Sequence, residues 1–160
     1  MQEENNMARL KNAKRKHEIA VFDPKNPTTE PVEGTAWKRL AKYIETIDDE
    51  TDEDTDDTGY YDGDGTPEET VLSVVGGYSF EGLYDPEDAA QAMIATMKYK
   101  TGEGRRVWHR VTTSDGKKTY VQVANVSEIK AGAGDATAYE DFGCKLKWIK
   151  EPIEKGVSGS

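Results

Sequence analysis

The strongest constraint on the fold of this chain is an acidic stretch between residues 48 and 69. It contains twelve carboxylates and no Lys, Arg or His, in a chain of 160 residues with a net charge of −10. Neighbouring carboxylates repel one another, and a carboxylate cannot be buried without a partner. We therefore expect a long acidic loop here. It is either a solvated loop, a cation site, or a charged contact with a basic surface of another copy or of a partner.

Composition excludes several classes of protein. The length fits one domain, and the single cysteine, Cys144, excludes an internal disulfide and a Cys-rich zinc site. A sequence pI near 4.7 argues against a nucleic-acid binder, because phosphate contacts need clustered Lys and Arg. The sequence contains no apolar leader segment and no long apolar run, so we expect neither export nor a membrane span.

Both ends of the chain are polar and are expected to lie outside the folded domain. Residues 1–18 are a basic arm, and residues 153–160 are a polar tail that follows Pro152. Such segments bury too little apolar surface to fold alone. We therefore expect both to be flexible, unless the arm docks on a neighbouring molecule. Residues 19–152 remain for a single domain.

Alternating apolar residues predict strands on both sides of the acidic stretch. Residues 18–23 form a short strand candidate. Residues 71–84 form a longer one, in which Gly76 and Gly77 indicate a bulge or a close backbone approach. Residues 35–47 fit both helical spacing and strand spacing, so both interpretations stay open.

Residues 86–100 carry the clearest helical pattern. Asp85 is placed to cap the helix, Pro86 occupies the first helical position, and Gly102 follows the last turn. One face carries an apolar stripe made of Ala90, Met93, Ile94 and Met97. The stripe predicts a single helix whose apolar face packs on the core.

Three strands are predicted after the helix, over residues 105–113, 118–129 and 139–149. Asp115-Gly116 is a hairpin-turn signal between the first two. The last strand alternates strictly, with an apolar face made of Phe142, Cys144, Leu146 and Trp148. The chain is therefore predicted to be mainly β, an antiparallel β-sandwich or barrel with one flanking α-helix.

Residues with catalytic potential are few. His109 alternates with Val107 and Val111, which favours a core or interface histidine over a catalytic one. Cys144 lies on an apolar strand face, which favours an inert buried thiol. No glycine-rich segment continues into a dinucleotide-binding or phosphate-binding motif. We predict that the chain is not an enzyme and has no cofactor.

Calcium is the metal that the acidic stretch fits in part. Asp54, Asp56 and Asp62 have the spacing of EF-hand ligands, with Gly59 at the turn, but Gly65 stands where the pattern requires a bidentate Glu. These residues are weak candidates, and we predict no specific metal site. A calcium-responsive binding module remains an alternative function. A second alternative is a DNA-mimicking inhibitor whose carboxylates imitate phosphates.

The distribution of charge favours self-assembly. A cationic arm and an anionic loop occupy different places in one chain. Complementary patches on one subunit favour head-to-tail contacts, which close into rings or continue as filaments. The candidate contact residues are Arg9, Lys11, Lys14, Arg15 and Lys16 in the arm, and Asp48, Asp49, Asp52, Asp54, Asp56, Asp57, Asp62 and Asp64 in the loop.

Several strings of residues are similar, in order, to one protein family. They are YYDGDGT at 60–66, YSFEGLYDPEDAAQ at 78–91, MKYKTGEGRRVWHRVT at 97–112 and VANVSEIK at 123–130. Together they resemble the major tail proteins, or tail tube proteins, of long-tailed phages of Gram-positive bacteria. The similarity covers roughly residues 35–152.

The resemblance implies a β-sandwich with a flanking helix, and strand rather than helix for residues 37–47. It implies homohexameric rings that stack into a hollow tube, through which DNA passes at ejection without specific binding. The loop 48–69, the arm 7–18 and the tail 151–160 would reach neighbouring subunits. Other tail proteins, such as the tape measure and the tail terminator, would be partners. The protein would be found in the virion tail and, during assembly, in the host cytoplasm.

Overall fold

The computed structural model describes residues 14–31, 36–58, 65–66 and 68–156. The strands are β1 (Lys16–Val21), β2 (Lys38–Arg39), β3 (Ile44–Asp49), β4 (Asp52–Thr58), β5 (Glu68–Val75), β6 (Gly77–Leu83), β7 (Arg106–Thr112), β8 (Lys118–Ala131), β9 (Asp141–Trp148) and β10 (Ile153–Gly156). The α-helix α1 (Ala89–Ala95) and a 3-10 helix (Gly102–Arg105) lie between β6 and β7. The described residues contain no helix long and apolar enough to cross a membrane.

Most strands belong to one curled antiparallel sheet. Its order is β2-β1-β7-β8-β9-β6-β3, and β10 also pairs with β8. The long strand β8 organises this sheet, because it pairs with β7 and β10 near its start and with β9 towards its end. The remaining strands, β4 and β5, form a separate two-stranded hairpin. The predicted mainly β fold with one helix is confirmed.

The sheet has an apolar cluster on each face. The cluster between the sheet and α1 contains the large buried side chains of Ile19, Phe80, Phe142 and Leu146, together with Ile94 of the helix. A second cluster contains Ala20, Phe22, Trp37, Trp108, Val121 and Val123. The predicted apolar face of β9 is confirmed, since its four side chains, from Phe142 to Trp148, are all buried.

The helix is shorter than the predicted 86–100, and its cap is different. Asp88 is the N-cap, and its Oδ2 accepts a hydrogen bond of 3.2 Å from the backbone N–H of Gln91. Asp85 instead accepts from the N–H of Glu87 at 3.0 Å, which makes a separate turn before the helix. The helical stripe nevertheless packs as predicted, with Ala90 and Ile94 buried.

Two strand predictions require correction. Residues 35–47 contain β2 and the start of β3, so the strand interpretation is right and the helical one is wrong. Residues 71–84 are not one strand, because the chain leaves the hairpin strand β5 at Gly76 and enters the main sheet as β6. A side chain at Gly76 would overlap the indole ring of Trp148, which confirms the predicted close approach.

The sheet extends into both predicted terminal segments. β1 begins at Lys16, and His17 is fully buried, so residues 16–18 belong to the sheet rather than to the arm. β10 consists of Ile153–Gly156, which pair with Val121–Lys118. These four residues belong to the predicted tail. Backbone pairing explains both differences: β1 pairs with β2 and β7 and buries His17, Ile19 and Ala20, and the exposed strand β10 is held by its pairing with β8. Arg9 and Lys11 lie outside the described residues.

Candidate assembly surface

The acidic stretch forms a hairpin rather than a loop in most of its described part. β4 pairs antiparallel with β5, from Asp52 opposite Val75 to Thr58 opposite Glu68, with a register shift between Asp54 and Thr55. The aspartates of β4 favour strand poorly, but β5 has the sequence EETVLSVV, which is rich in β-branched residues. Carboxylates on a solvent-facing strand need not be desolvated, so the partner strand decides the conformation.

The described side chains of the hairpin are exposed, except that of Val75, which is half-buried. In β4 they are acidic or hydroxyl-bearing, from Asp52 to Thr55. In β5, Val71, Leu72 and Val74 are 49%, 61% and 53% exposed. A two-stranded hairpin is marginally stable in water, and an exposed apolar strand edge is a template for pairing with another chain. This hairpin therefore has the properties of a surface that another molecule covers.

A groove separates the hairpin from the end of β9. It has a volume of about 630 Å³, and its lining includes Val71, Val74, Trp148, Glu151 and Pro152. Neither β5 nor β10 has a second strand partner among the described residues. The groove is thus lined on one side by β5, whose only strand partner among the described residues is β4, and it has a mainly apolar floor.

The base of the hairpin is held to the main sheet by charge and by the backbone. Lys147 Nζ lies 3.0 Å from Asp52 Oδ2, and this hydrogen bond lowers the pKa of Asp52. The N–H of Glu50 donates to the carbonyl of Gly77 at 2.8 Å, and Ser79 Oγ donates to Glu50 Oε1 at 3.2 Å. These contacts orient the hairpin without covering its apolar residues.

The predicted contact residues are divided between separate places. Asp48 and Asp49 end β3, whereas Asp52, Asp54, Asp56 and Asp57 lie on β4. Lys14 and Arg15 precede β1, and Lys16 is its first residue. The structure brings one pair together, because Arg15 and Asp49 line the same cavity of about 210 Å³. Asp62 and Asp64 lie outside the described residues, as do Arg9 and Lys11.

A buried chain of hydrogen bonds joins Trp148, His109 and His17, and it was not predicted from the sequence. Trp148 Nε1 donates to His109 Nδ1 at 3.0 Å, and His109 Nε2 lies 3.2 Å from His17 Nδ1. His17 belongs to the predicted arm. Its spacing of two residues from Ile19 nevertheless places it on the apolar face of a strand. His109 is a core residue, as predicted.

Burial determines the protonation of these groups. It lowers the pKa of His109 well below 6.5, and burial with the nearby Arg15 and Arg39 charges lowers the pKa of His17 to about 4. Burial also raises the pKa of Cys144 to about 12, so its thiol is neutral and inert, as predicted.

The described residues contain no cluster of three His, Cys, Asp or Glu able to hold a metal ion. Asp54 and Asp56 lie on extended β4, not in a coordinating loop.

Comparison with known proteins gives matches of structure only. No protein-family model and no curated protein matches the chain. A chain in the tail of an empty gene transfer agent (GTA) particle, computed with C6 symmetry, matches with a TM-score of 0.63 at 11% identity. The match covers 94% of this chain and 100% of that chain.

Two other structures are also similar. A chain in the virion of a native GTA particle has a TM-score of 0.58 at 11% identity, over 89% of this chain and 95% of that chain. A chain of a contractile injection system sheath–tube complex has a TM-score of 0.48 at 14% identity, over 88% of each chain. At these identities, the two GTA matches establish a shared fold. The chain therefore has the fold of subunits found in GTA particles.

Proposed function

We propose that this chain is a structural subunit of a phage-type tail tube and acts by assembling with copies of itself. The observation that carries the proposal is the β4–β5 hairpin, whose Val71, Leu72 and Val74 are exposed beside a row of carboxylates. A contact between identical subunits would cover these apolar side chains and the open strand edges. The fold shared with chains of GTA particles supports the same role.

In this proposal, homohexameric rings stack into a hollow conduit for DNA. The C6 symmetry of the similar GTA tail supports the hexamer, and the residue strings between 60 and 130 support a phage of Gram-positive hosts. A subunit with a net charge of −10 suits a conduit that DNA must leave without sticking, because basic surfaces bind phosphates strongly. The proposed location is the virion tail, with assembly in the host cytoplasm and contacts to the tape measure and tail terminator proteins. No catalytic role is proposed.

Electron microscopy of hairpin variants tests this function. We expect the unmodified chain at high concentration to form rings or tubes with six-fold symmetry in negative stain. Leu72→Asp and Val74→Asp should abolish them, because each places a charge where an apolar contact forms. The melting temperature of the isolated subunit should change little, since both side chains are already exposed.

Tyr99→Asp is the matched control. Tyr99 is 91% exposed and lies outside the hairpin, so its replacement should leave assembly intact. The proposal is contradicted if the unmodified chain stays monomeric even when a preformed tail tip is added as an initiator. The hairpin assignment alone is contradicted if Leu72→Asp and Val74→Asp assemble normally.

A further inference from the structure

Another cavity lies on the β1–β7–β8 part of the main sheet, and no described residue of the hairpin lines it. It has a volume of about 630 Å³ and is lined by residues of β1, β7, β8 and β10 together with Trp37. Strand register places Lys16 opposite Thr112, Thr112 opposite Thr119, and Thr119 opposite Lys155. Directly opposed residues share a face of the sheet, so these four side chains form one polar row along the cavity.

The acceptors that line this cavity are already occupied. Glu18 accepts two hydrogen bonds from Arg110, at 3.1 and 3.0 Å, and Arg110 also stacks 4.4 Å from the centre of the Trp37 ring. Glu30 is held by Lys155 Nζ at 2.6 Å. Both carboxylates are therefore neutralised within the subunit.

Hydrogen-bond donors remain in excess. Trp37 is 7% exposed, and its buried Nε1–H has no acceptor. Among the described residues, no hydrogen bond or ion pair engages the Lys16 ammonium or the hydroxyls of Thr112 and Thr119. Trp37 Nε1 is buried, so the unpaired donors that a ligand in the cavity can reach are Lys16 and the two threonines. The ligand that suits such a set is an oxyanion.

We infer that this cavity binds a carboxylate from the acidic stretch 48–69 of a second copy of this chain. The inference rests on the proposed self-assembly and names the surface that receives the hairpin. The stretch carries twelve carboxylates, and no residue of β4 or β5 whose side chain the structure describes lines the cavity of its own subunit. A second copy can therefore supply the missing acceptor where its own chain does not.

The contact has a defined chemistry. The incoming carboxylate accepts hydrogen bonds from the Lys16 ammonium, which also balances its charge, and from a threonine hydroxyl. Charge-assisted hydrogen bonds of this kind are stronger than neutral ones. Because donor and acceptor belong to different surfaces, the contact is head-to-tail: within a ring it closes, and between rings it leaves donor sites at one end of the stack and hairpins at the other.

Substitutions that remove single donors test the site. Lys16→Gln and Thr119→Val should each raise the critical concentration for assembly roughly five-fold or more, because each deletes one hydrogen bond to the carboxylate. Lys117→Gln is the matched control, since Lys117 is an exposed lysine outside the cavity, and it should assemble normally.

Cross-linking identifies the occupant. An equal mixture of ¹⁵N-labelled and unlabelled full-length chain would be assembled, treated with a carbodiimide and digested for mass spectrometry. We expect Lys16 to be joined to a carboxylate of residues 48–69, with peptide pairs of mixed isotope composition. Links of Lys16 only to carboxylates elsewhere, or only within one copy, overturn the inference, as does unchanged assembly of Lys16→Gln and Thr119→Val. Failure of the unmodified chain to assemble at all overturns the proposed function as well.

Discussion

Two histidines in the core are held in fixed tautomers by a tryptophan. Since the Trp148 Nε1–H donates to His109 Nδ1, the proton of neutral His109 lies on Nε2 and is donated to His17 Nδ1. The proton of His17 then lies on Nε2, which is buried without a partner. The rings of Tyr78 and Phe80 meet His17 edge-on, 4.8 and 5.2 Å away between ring centroids. Both imidazoles are therefore neutral in the folded subunit.

This arrangement predicts loss of stability in mild acid. Folding lowers both histidine pKa values, so the unfolded chain binds more protons between about pH 6.5 and about pH 4. The free energy of unfolding should therefore fall as pH falls through this window. His17→Gln should reduce the slope by up to about 1.4 kcal/mol per pH unit, measured by urea denaturation at several pH values. Lys117→Gln is the control, and equal slopes for His17→Gln and the unmodified chain would contradict the prediction.

Gly82 lies where the backbone of a neighbouring strand leaves no space for a side chain. A Cβ at this position would overlap the carbonyl oxygen of Tyr43 and the Cα of Ile44. Gly82→Ala should therefore lower the free energy of unfolding by about 2–4 kcal/mol, because backbone atoms cannot move aside cheaply. Gly156→Ala meets no atom within 4 Å and should cost less than about 0.5 kcal/mol. Denaturation followed by tryptophan fluorescence measures both changes.

At the scale of elements, one glutamine joins the helix to the sheet. The buried Gln91 of α1 donates to the carbonyls of Lys42 and Leu83, at 2.9 and 3.1 Å, and accepts from the N–H of Asp85 at 2.7 Å. These bonds fix α1 against the turn before β3 and the end of β6. A helix of this length has little stability of its own, so its position depends on such contacts.

Replacing this glutamine should destabilise the subunit. Gln91→Leu removes a hydrogen-bond partner from two carbonyls and one N–H in a part-buried site, and should lower the free energy of unfolding by about 2–4 kcal/mol. Glu87→Ala, at an exposed position in the same segment, should change it by less than about 0.5 kcal/mol. Comparable losses in the two variants would show that the network around Gln91 contributes nothing particular.

Elements with strict alternation were predictable from the sequence, and elements that depend on a distant partner were not. The apolar face of β9 follows from spacing alone, as does the burial of Cys144. The strand β4 could not be predicted from spacing, because its aspartates favour a loop and only pairing with β5 makes it extended. The cap of α1 was misplaced for a similar reason, since Asp85 and Asp88 both suit a cap and the contacts of Gln91 decide between them.

At the scale of the whole molecule, the proposed contacts between charged surfaces predict an assembly that is sensitive to salt. The acidic hairpin and the donor-lined cavity attract each other across subunits in the proposed assembly, and salt screens such attraction. We expect the critical concentration, measured by light scattering, to rise as NaCl is raised from about 50 mM to about 500 mM. Lys16→Gln should show a smaller rise. Stronger assembly at high salt, with equal dependence in both proteins, would indicate a purely apolar contact.

The candidate assembly surface was predictable only in part. Charge alone predicts that the acidic stretch and the basic residues before β1 belong to contacts, and this stays a prediction. It could not indicate Val71, Leu72 and Val74, because the same alternation suits a core strand until the break at Gly76 is known. The unpaired N–H of Trp37 could not be predicted either, since a buried donor without an acceptor is a property of the folded structure.

The pairing of β1 with β7 determines when this chain can fold during its synthesis. Glu18 and Arg110, which are hydrogen-bonded across these strands, are 92 residues apart. At about 5–20 residues per second, β1 leaves the ribosome roughly 5–20 s before its partner strand. During that interval Ile19 and His17 have no core to enter. The sheet therefore closes late in translation, after β7 and β8 have emerged.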